Sequence, residues 1–342
     1  MSGLVIIGAS YAGIQAALSA RDAGYAEPVT VVADEKSLPY QRPPLSKDFL
    51  LGETSEQNLV LRDDAFFTNR RIDLLLDRRV VAIDRTARQV ALADGARLDF
   101  DKLVIATGSR ARRISVRGAE FDGICYLRSV ADAIDLKARL SQASEIVIVG
   151  GGFIGLEVAS SAARLGKKVT VIEAASRLLA RMVSPIVSRF LLDAHAQAGV
   201  EVRLGDSVAA MTGDAVGLTG VDLGNGVRLH ADLVVVGIGG TANDELASAV
   251  GLKCSNGIVV DDMARPKPPT SMPPATAQTI TIGSRKAGSG WNQFSTPRTR
   301  ARRRGSQSRI AMSLTTVSRD SGRISTTSSF RSSGTPEAVT RW

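Results

Sequence analysis

The sequence predicts an α/β protein of two three-layer units, each a sheet flanked by helices, with the second unit inserted into the first. Three observations predict this. A strand, glycine turn, helix, strand pattern occurs twice, beginning at Leu4 and again at Val147. Each copy is followed by a stretch of alternating apolar and polar residues that leads to a β-branched run ending in glycine, at Gly108 and at Gly239. The length of 342 residues suits about two domains, enough to bury real cores.

In the first copy, Leu4 to Ala16 reads LVIIGASYAGIQA: an apolar run, a tight turn, then helix formers at helical spacing. The helix ends near Gly24, and Val29-Thr-Val-Val32 leads to Asp34-Glu35. Residues 79–100 alternate around Asp94-Gly95, a hairpin signal, and run into Asp101-Lys-Leu-Val-Ile-Ala-Thr-Gly108. In the second copy, Val147 to Ala159 reads VIVGGGFIGLEVA, the helix ends near Gly166, and Val169-Thr-Val-Ile172 leads to Glu173. Residues 200–230 repeat the alternating theme around Gly224-Asn225-Gly226. The expected boundaries are 1–110 for the first part of the outer unit and 111–240 for the inserted unit. Residues 241–265 form a truncated return to the outer unit, and 266–342 a basic tail.

A strand-to-helix turn of this kind points free backbone N–H groups outward at the positive end of the helix dipole, which suits a pyrophosphate. Glycine is needed where a side chain would block the tight turn or the approach of phosphate. The second copy carries the complete fingerprint, Gly150, Gly152 and Gly155, with Phe153 and Ile154 inside it; the first carries Gly8, Ser10 and Gly13, around Ala12. An acid at the end of the next strand accepts hydrogen bonds from ribose hydroxyls, here Asp34 (with Glu35 beside it) and Glu173. One such turn alone can also be read as close helix–strand packing. Two, each with strand, helix and acid in place, define Rossmann-like dinucleotide-binding units, and two dinucleotides side by side imply electron transfer, commonly between a nicotinamide nucleotide and FAD. Glu173 favours NADH over NADPH, since a carboxylate there repels a 2′-phosphate. Arg177 and Arg181 follow closely, as nucleotide contacts or as solvated charge.

Composition excludes other classes. No apolar run reaches the roughly 18 residues of a membrane span. The start, Met1-Ser2-Gly3-Leu4, enters a strand-like run without a basic segment, so a secretory signal is not expected. The net charge of +9 is concentrated in residues 264–342, which carry 12 Arg and 2 Lys against 1 Asp and 1 Glu. No specific nucleic-acid site is expected, since the tail's aromatics are too sparse for a stacking platform. Cys125 and Cys254 form neither a CxxC nor a zinc spacing, and His195 and His230 are too isolated for a metal or a general base, so no metal is expected. The chain reads as cytoplasmic.

After the first acid comes Leu38-Pro-Tyr-Gln-Arg-Pro-Pro-Leu-Ser-Lys47. This string, with GASYAG before it and GGGFIGLE after it, resembles the FAD-dependent ferredoxin and rubredoxin reductases of the putidaredoxin-reductase type, within the pyridine nucleotide-disulfide oxidoreductase superfamily, over residues 4 to about 262. The resemblance implies that Ala12, Asp34, Lys47, Val80 and Arg128 contact FAD and that Thr107-Gly108 closes over it, while Arg181 and Gly239 belong with the NAD turn. It also implies that Lys47 lies beside the flavin ring, paired with Glu157. Taken alone, Lys47 is an ordinary surface lysine and Glu157 a first-turn acid complementing the helix dipole. The charge argument favours the pairing: reduced flavin is negative, a nearby ammonium stabilises it, and a buried ammonium needs a carboxylate.

Disulfide reductases of this superfamily need a cysteine pair beside the flavin, and this chain has none. Electrons therefore leave the flavin directly, to a ferredoxin- or rubredoxin-like iron–sulfur carrier serving an oxygenase. The alternatives are an NADH oxidase or other small-acceptor reductase, and an inactive truncated pseudoenzyme. Relatives continue after the NGIVVDD string with a segment resembling PDIYAAGDC, then ESxxxA, then a C-terminal interface domain, all missing here. Past Arg265 the sequence turns rich in Arg, Ser, Thr and Pro, the composition of a disordered tail. Yet back-translated from the third base of each codon, Pro266 to Ala277 permits E-A-P-D-I-Y-A-A-G-D-C, and Ser289 to Pro297 permits R-L-E-S-V-Q-H-A. Both missing strings return in one frame, so a frameshift near the Arg265 codon is expected.

Overall fold

The computed structural model describes residues 2–215, 217–261, 264–266 and 280–282, all within one unit, Met1–Gly290. The first sheet begins with β1 (Gly3–Ile7), followed by α1 (Tyr11–Asp22) and β2 (Val29–Val32). A long excursion follows: a 3₁₀ turn at Pro43–Ser46, then α2 (Asp48–Leu51), α3 (Glu56–Leu59) and α4 (Asp64–Asn69). The chain then returns through β3 (Ile72–Leu75), β4 (Val80–Asp84), β5 (Gln89–Leu92) and β6 (Arg97–Ile105). The order is β3-β2-β1-β6-β5-β4, parallel from β3 to β6 and antiparallel beyond. All five residues of β1 are buried, as a strand covered on both faces requires.

The hairpin expected around Asp94-Gly95 is present as β5–β6, but residues 79–100 hold a second turn, between β4 and β5. Its signal is Asp84, whose Oδ1 accepts the N–H groups of Thr86 and Ala87 at 2.9 and 2.8 Å, while Arg88 takes the left-handed conformation.

The short strand β7 (Ser109–Ala111) carries the chain out to a second sheet. That sheet contains β8 (Ile124–Tyr126), β9 (Glu145–Val149), β10 (Lys168–Glu173), β11 (Glu201–Leu204) and β15 (Leu233–Val236), in the order β11-β10-β9-β15-β8, parallel throughout. Helices α5 (Val130–Gln142), α6 (Phe153–Arg164) and α7 (Pro185–Gln197) connect its strands. The alternating stretch after β11 forms a separate sheet of β12 (Val208–Gly213), β13 (Leu218–Leu223) and β14 (Arg228–His230). Here the two copies differ. In the first, β6 is one continuous strand shared by meander and parallel sheet. In the second, the equivalent run breaks between β14 and β15 at Asp232, whose Oδ2 accepts the N–H groups of Ser144 and Glu145, both at 2.9 Å.

The chain returns along β16 (Gly240–Ala242), antiparallel to β7, so the outgoing and returning connections run side by side. After α8 (Glu245–Ala249), Ala247 and Leu252 are buried against Val5, Ile7, Leu103 and Ile105 of the first sheet. A further apolar cluster joins the two halves: Tyr40, Leu45, Phe49 and Leu50 of the excursion pack with Leu136, Ile148, Leu156 and Val158 beneath α5 and α6.

The expected disordered or frameshifted stretch 266–342 lies outside the described residues, apart from Pro266 and β17 (Ile280–Ile282). That strand is a departure from the expectation of no structure. β17 lies parallel to Leu103–Ile105, the part of β6 that β5 leaves open. Among the described residues, no helix is long and apolar enough to cross a membrane.

Candidate active site

Both glycine turns sit between a buried strand and a helix, and each glycine has its own reason. Gly8 and Gly150 adopt φ of 108° and 110°, and a Cβ on either would lie 2.3 or 2.6 Å from a neighbouring carbonyl oxygen, that of Ala106 or Gly237. A Cβ on Gly13 or Gly155 would come within 1.8 or 2.1 Å of the carbonyl of Gly8 or Gly150. Gly152 is different: the nearest atom to its Cβ would be 3.8 Å away. The protein itself does not need glycine there; the space outside the turn does. Ser10 occupies the matching position in the first copy, which has the same latitude. No side chain caps α1 or α6, whereas α5 carries a complete capping box from Ser129 and Asp132. First-turn N–H groups at both glycine turns are thus left for an anion. The open position at Gly152 and the two helix starts without a side-chain cap leave room for the pyrophosphates of two dinucleotides.

The first turn is ringed by groups from distant parts of the chain. Arg42 Nε lies 3.4 Å from Ser10 Oγ, its Nη2 pairs with Glu35 Oε1 at 2.5 Å, and its Nη1 donates to the Arg128 carbonyl at 2.7 Å. Tyr40 Oη donates to Glu35 Oε2 at 2.5 Å and accepts from the Val130 N–H at 2.9 Å. Burial pushes the Tyr40 hydroxyl's pKa up, and burial, with repulsion from Arg42, lowers that of Arg128. One partly buried guanidinium, that of Arg42, therefore stands beside the glycine turn, and a second, that of Arg128, stands near Gly108. Arg128 Nε also donates to the Ser109 carbonyl at 2.8 Å, beside Gly108.

Asp34 is exposed, lining an open cavity of about 490 Å³ with Arg78, Arg79 and Ala93. Glu35, its neighbour, is consumed by Arg42 and Tyr40, so of the two acids Asp34 is open to a ribose. Val80 is buried behind that cavity, and Ala12 is half-buried in the first turn of α1. Thr107 and Gly108 are strapped to the returning chain: Thr107 Oγ1 donates to the Asn243 carbonyl at 2.5 Å, and the Asn243 N–H donates to the Gly108 carbonyl at 3.0 Å.

In the second copy Glu173 is anchored by the N–H groups of Gly151 and Ala175, both at 2.7 Å. Arg177 is spent inside its own loop, donating to the Val183 and Ala180 carbonyls and to Ser188 Oγ. Arg181 is exposed, Ile154 is exposed at the start of α6, and Phe153 packs partly against the core. Gly239, at φ of 101°, has open space around it and lies where the chain leaves β15.

Lys47 and Glu157 meet across the two halves: Nζ lies 2.7 Å from Oε1 and 3.2 Å from the Pro43 carbonyl. Cys125 is buried, and burial pushes its thiol up to about 12; Cys254 is raised by the same cause. His195 is held by the Leu191 and Leu156 carbonyls, and His230 is an exposed neighbour of Glu145.

Sequence reasoning missed Arg42, Tyr40 and Asn243. Arg42 and Tyr40 stand inside the string that carried the resemblance, and a tyrosine and an arginine just ahead of a Pro-Pro turn, a few residues past an acid, were the available signal. Asn243 had none, since its partner Thr107 is more than a hundred residues away.

Two uncapped glycine turns, each with an acid at the next strand end, and a lysine–carboxylate pair that joins the excursion to α6 define an oxidoreductase of the two-dinucleotide α/β class. The sequence pattern of the pyridine nucleotide-disulphide oxidoreductases matches residues 2–271, and the chain belongs to that family. Among curated relatives, it is 42% identical over 262 residues to a rubredoxin-NAD(+) reductase of Pseudomonas putida, covering 77% of this chain and 68% of the relative. It is 43% identical over 262 residues to the rhodocoxin reductase of Rhodococcus erythropolis, covering 77% and 61%. Among solved structures, a covalent putidaredoxin reductase–putidaredoxin complex aligns with a TM-score of 0.76 at 36% identity, covering 82% of this chain and 66% of that one. The chain thus spans about two thirds of the length of such relatives.

Proposed function

We propose that the chain is the nucleotide-binding part of an NADH-dependent flavoprotein reductase that passes electrons to a ferredoxin- or rubredoxin-like iron–sulfur protein, in the cytoplasm, for an oxygenase. The observation that carries this reading is the pair of glycine turns together with the Lys47–Glu157 ion pair, which joins the excursion after the first turn to the helix that starts at the second. FAD would be held by the first turn, Arg42, Arg128, Asp34 and the Thr107–Gly108 strap; NADH by the second turn and Glu173. When bound, the flavin supplies the chemistry of accepting a hydride and releasing electrons singly.

The chain's own groups supply orientation and charge. The uncapped helix ends and the two arginines hold the phosphates. The Lys47 ammonium offers fixed positive charge where negative charge develops, and Glu157 keeps that ammonium in place. Neither cysteine is assigned a part: Cys125 is buried in the core beneath α5 and α6, and Cys254 packs against the core of the first sheet. The names of the relatives, rubredoxin-NAD(+) reductase and rhodocoxin reductase, support an iron–sulfur acceptor. Mixing flavin-loaded protein and NADH with an oxidised [2Fe–2S] ferredoxin, a rubredoxin or oxygen separates the acceptors. Fast carrier reduction with slow oxygen uptake is expected; the reverse order assigns an oxidase.

A further inference from the structure

We propose that Ser46 is a positioning residue for the Lys47 ammonium: by fixing one carboxylate oxygen of Glu157, it aims the other at Nζ. Ser46 and Ser161 are 4% and 3% exposed, unusual for serine side chains unless they are bonded. Ser46 Oγ donates to Glu157 Oε2 at 2.6 Å, and Ser161 Oγ donates to the Ser46 carbonyl at 2.8 Å. Glu157 and Ser161 are one helical turn apart on α6, so they share a face and grip Ser46 by side chain and backbone together. Below them Pro43-Pro44 opens the 3₁₀ turn, and the Lys47 N–H donates to the Pro44 carbonyl at 3.0 Å.

The need for such a grip follows from the exposure of the pair. The Lys47 and Glu157 side chains are 41% and 26% exposed, and an ion pair that open holds its geometry poorly by itself. The terminal torsion of a glutamate is broad, so a carboxylate bonded at one oxygen only turns freely. With Oε2 pinned by Ser46, Oε1 points to Nζ, and the Pro43 carbonyl takes a second ammonium proton. Because α6 starts at the second glycine turn, the clamp also joins the lysine to the second nucleotide site.

What the ammonium does rests on the proposed function; the clamp itself does not. Trace acetylation of the full 342-residue chain with acetic anhydride, without FAD or NADH, reads Lys47 directly, with the exposed Lys102 and Lys253 peptides as internal references in mass spectrometry. An ammonium held by carboxylate and carbonyl acylates slowly. Ser46→Ala is expected to raise Lys47 labelling about three- to tenfold, in line with loss of a charge-assisted hydrogen bond. Glu157→Gln should raise it by the same factor, the double variant no further, and Ser46→Thr, which keeps the hydroxyl, should stay near wild type. If Ser46→Ala does not fold, Ser46→Cys, a weaker donor of similar size, is read in the same way. Wild-type labelling in Ser46→Ala overturns the proposal, as does a rise shared by the reference lysines, which marks general loosening. Either result leaves the electron-transfer reading standing, and a chain that fails to pass electrons leaves the labelling result standing.

Discussion

At the scale of the residue, Glu173 is expected to decide which nicotinamide nucleotide the second turn accepts. Both its oxygens are tied to backbone N–H groups, so the carboxylate cannot swing away from an incoming ribose. Arg177 cannot neutralise a 2′-phosphate, because loop carbonyls and Ser188 already occupy it. Like charges a few ångströms apart at a half-wet site repel by ~1–2 kcal/mol. Glu173→Ala should therefore narrow the preference for NADH over NADPH by about tenfold, measured as a ratio of dissociation constants by calorimetry. A wild-type protein that already prefers NADPH would remove this role from Glu173. The acid was legible in the sequence because it is local, at the end of a strand that follows a glycine turn. The Arg42–Glu35–Tyr40 network was not, since it closes through Arg128 and Val130 in a different part of the chain.

At the scale of the element, the second glycine turn separates folding from binding. A Cβ at position 155 meets a backbone carbonyl at 2.1 Å, and backbone cannot give way as a flexible side chain does. Gly155→Ala should cost about 2–3 kcal/mol of stability, seen as a lowered midpoint of thermal unfolding. At position 152 the nearest atom is 3.8 Å away, so Gly152→Ala should change stability by less than ~0.5 kcal/mol. The same methyl group stands where a pyrophosphate would lie, and NADH affinity should fall at least about tenfold. A Gly152→Ala variant that binds NADH as well as wild type would refute this cradle. Strands and helices around both turns were legible because apolar runs and helical spacing are properties of short segments. The break between β14 and β15 was not: Asp232 ends that strand by accepting N–H groups from Ser144 and Glu145, a contact invisible to local pattern.

At the scale of the whole molecule, the excursion between β2 and β3 ties the halves together. Its apolar residues pack under α5 and α6 while Ser46 and Lys47 reach Glu157, so the excursion from the first half is fastened to the helix that starts at the second glycine turn. The chain spans about two thirds of its relatives, and the codons past Arg265 permit, in a second frame, both strings expected to wall the flavin. Restoring one base near the Arg265 codon is therefore expected to raise FAD affinity and give a yellow protein. A yellow, active enzyme of the unrepaired mass would contradict the frameshift. The central claim, that two adjacent dinucleotide sites pass electrons from NADH outward, is tested most directly by anaerobic addition of NADH to the base-restored, flavin-loaded protein while following its visible absorbance. The yellow absorbance should be lost on mixing and return when an oxidised ferredoxin or rubredoxin is added. A flavin that stays yellow under saturating NADH would contradict the claim.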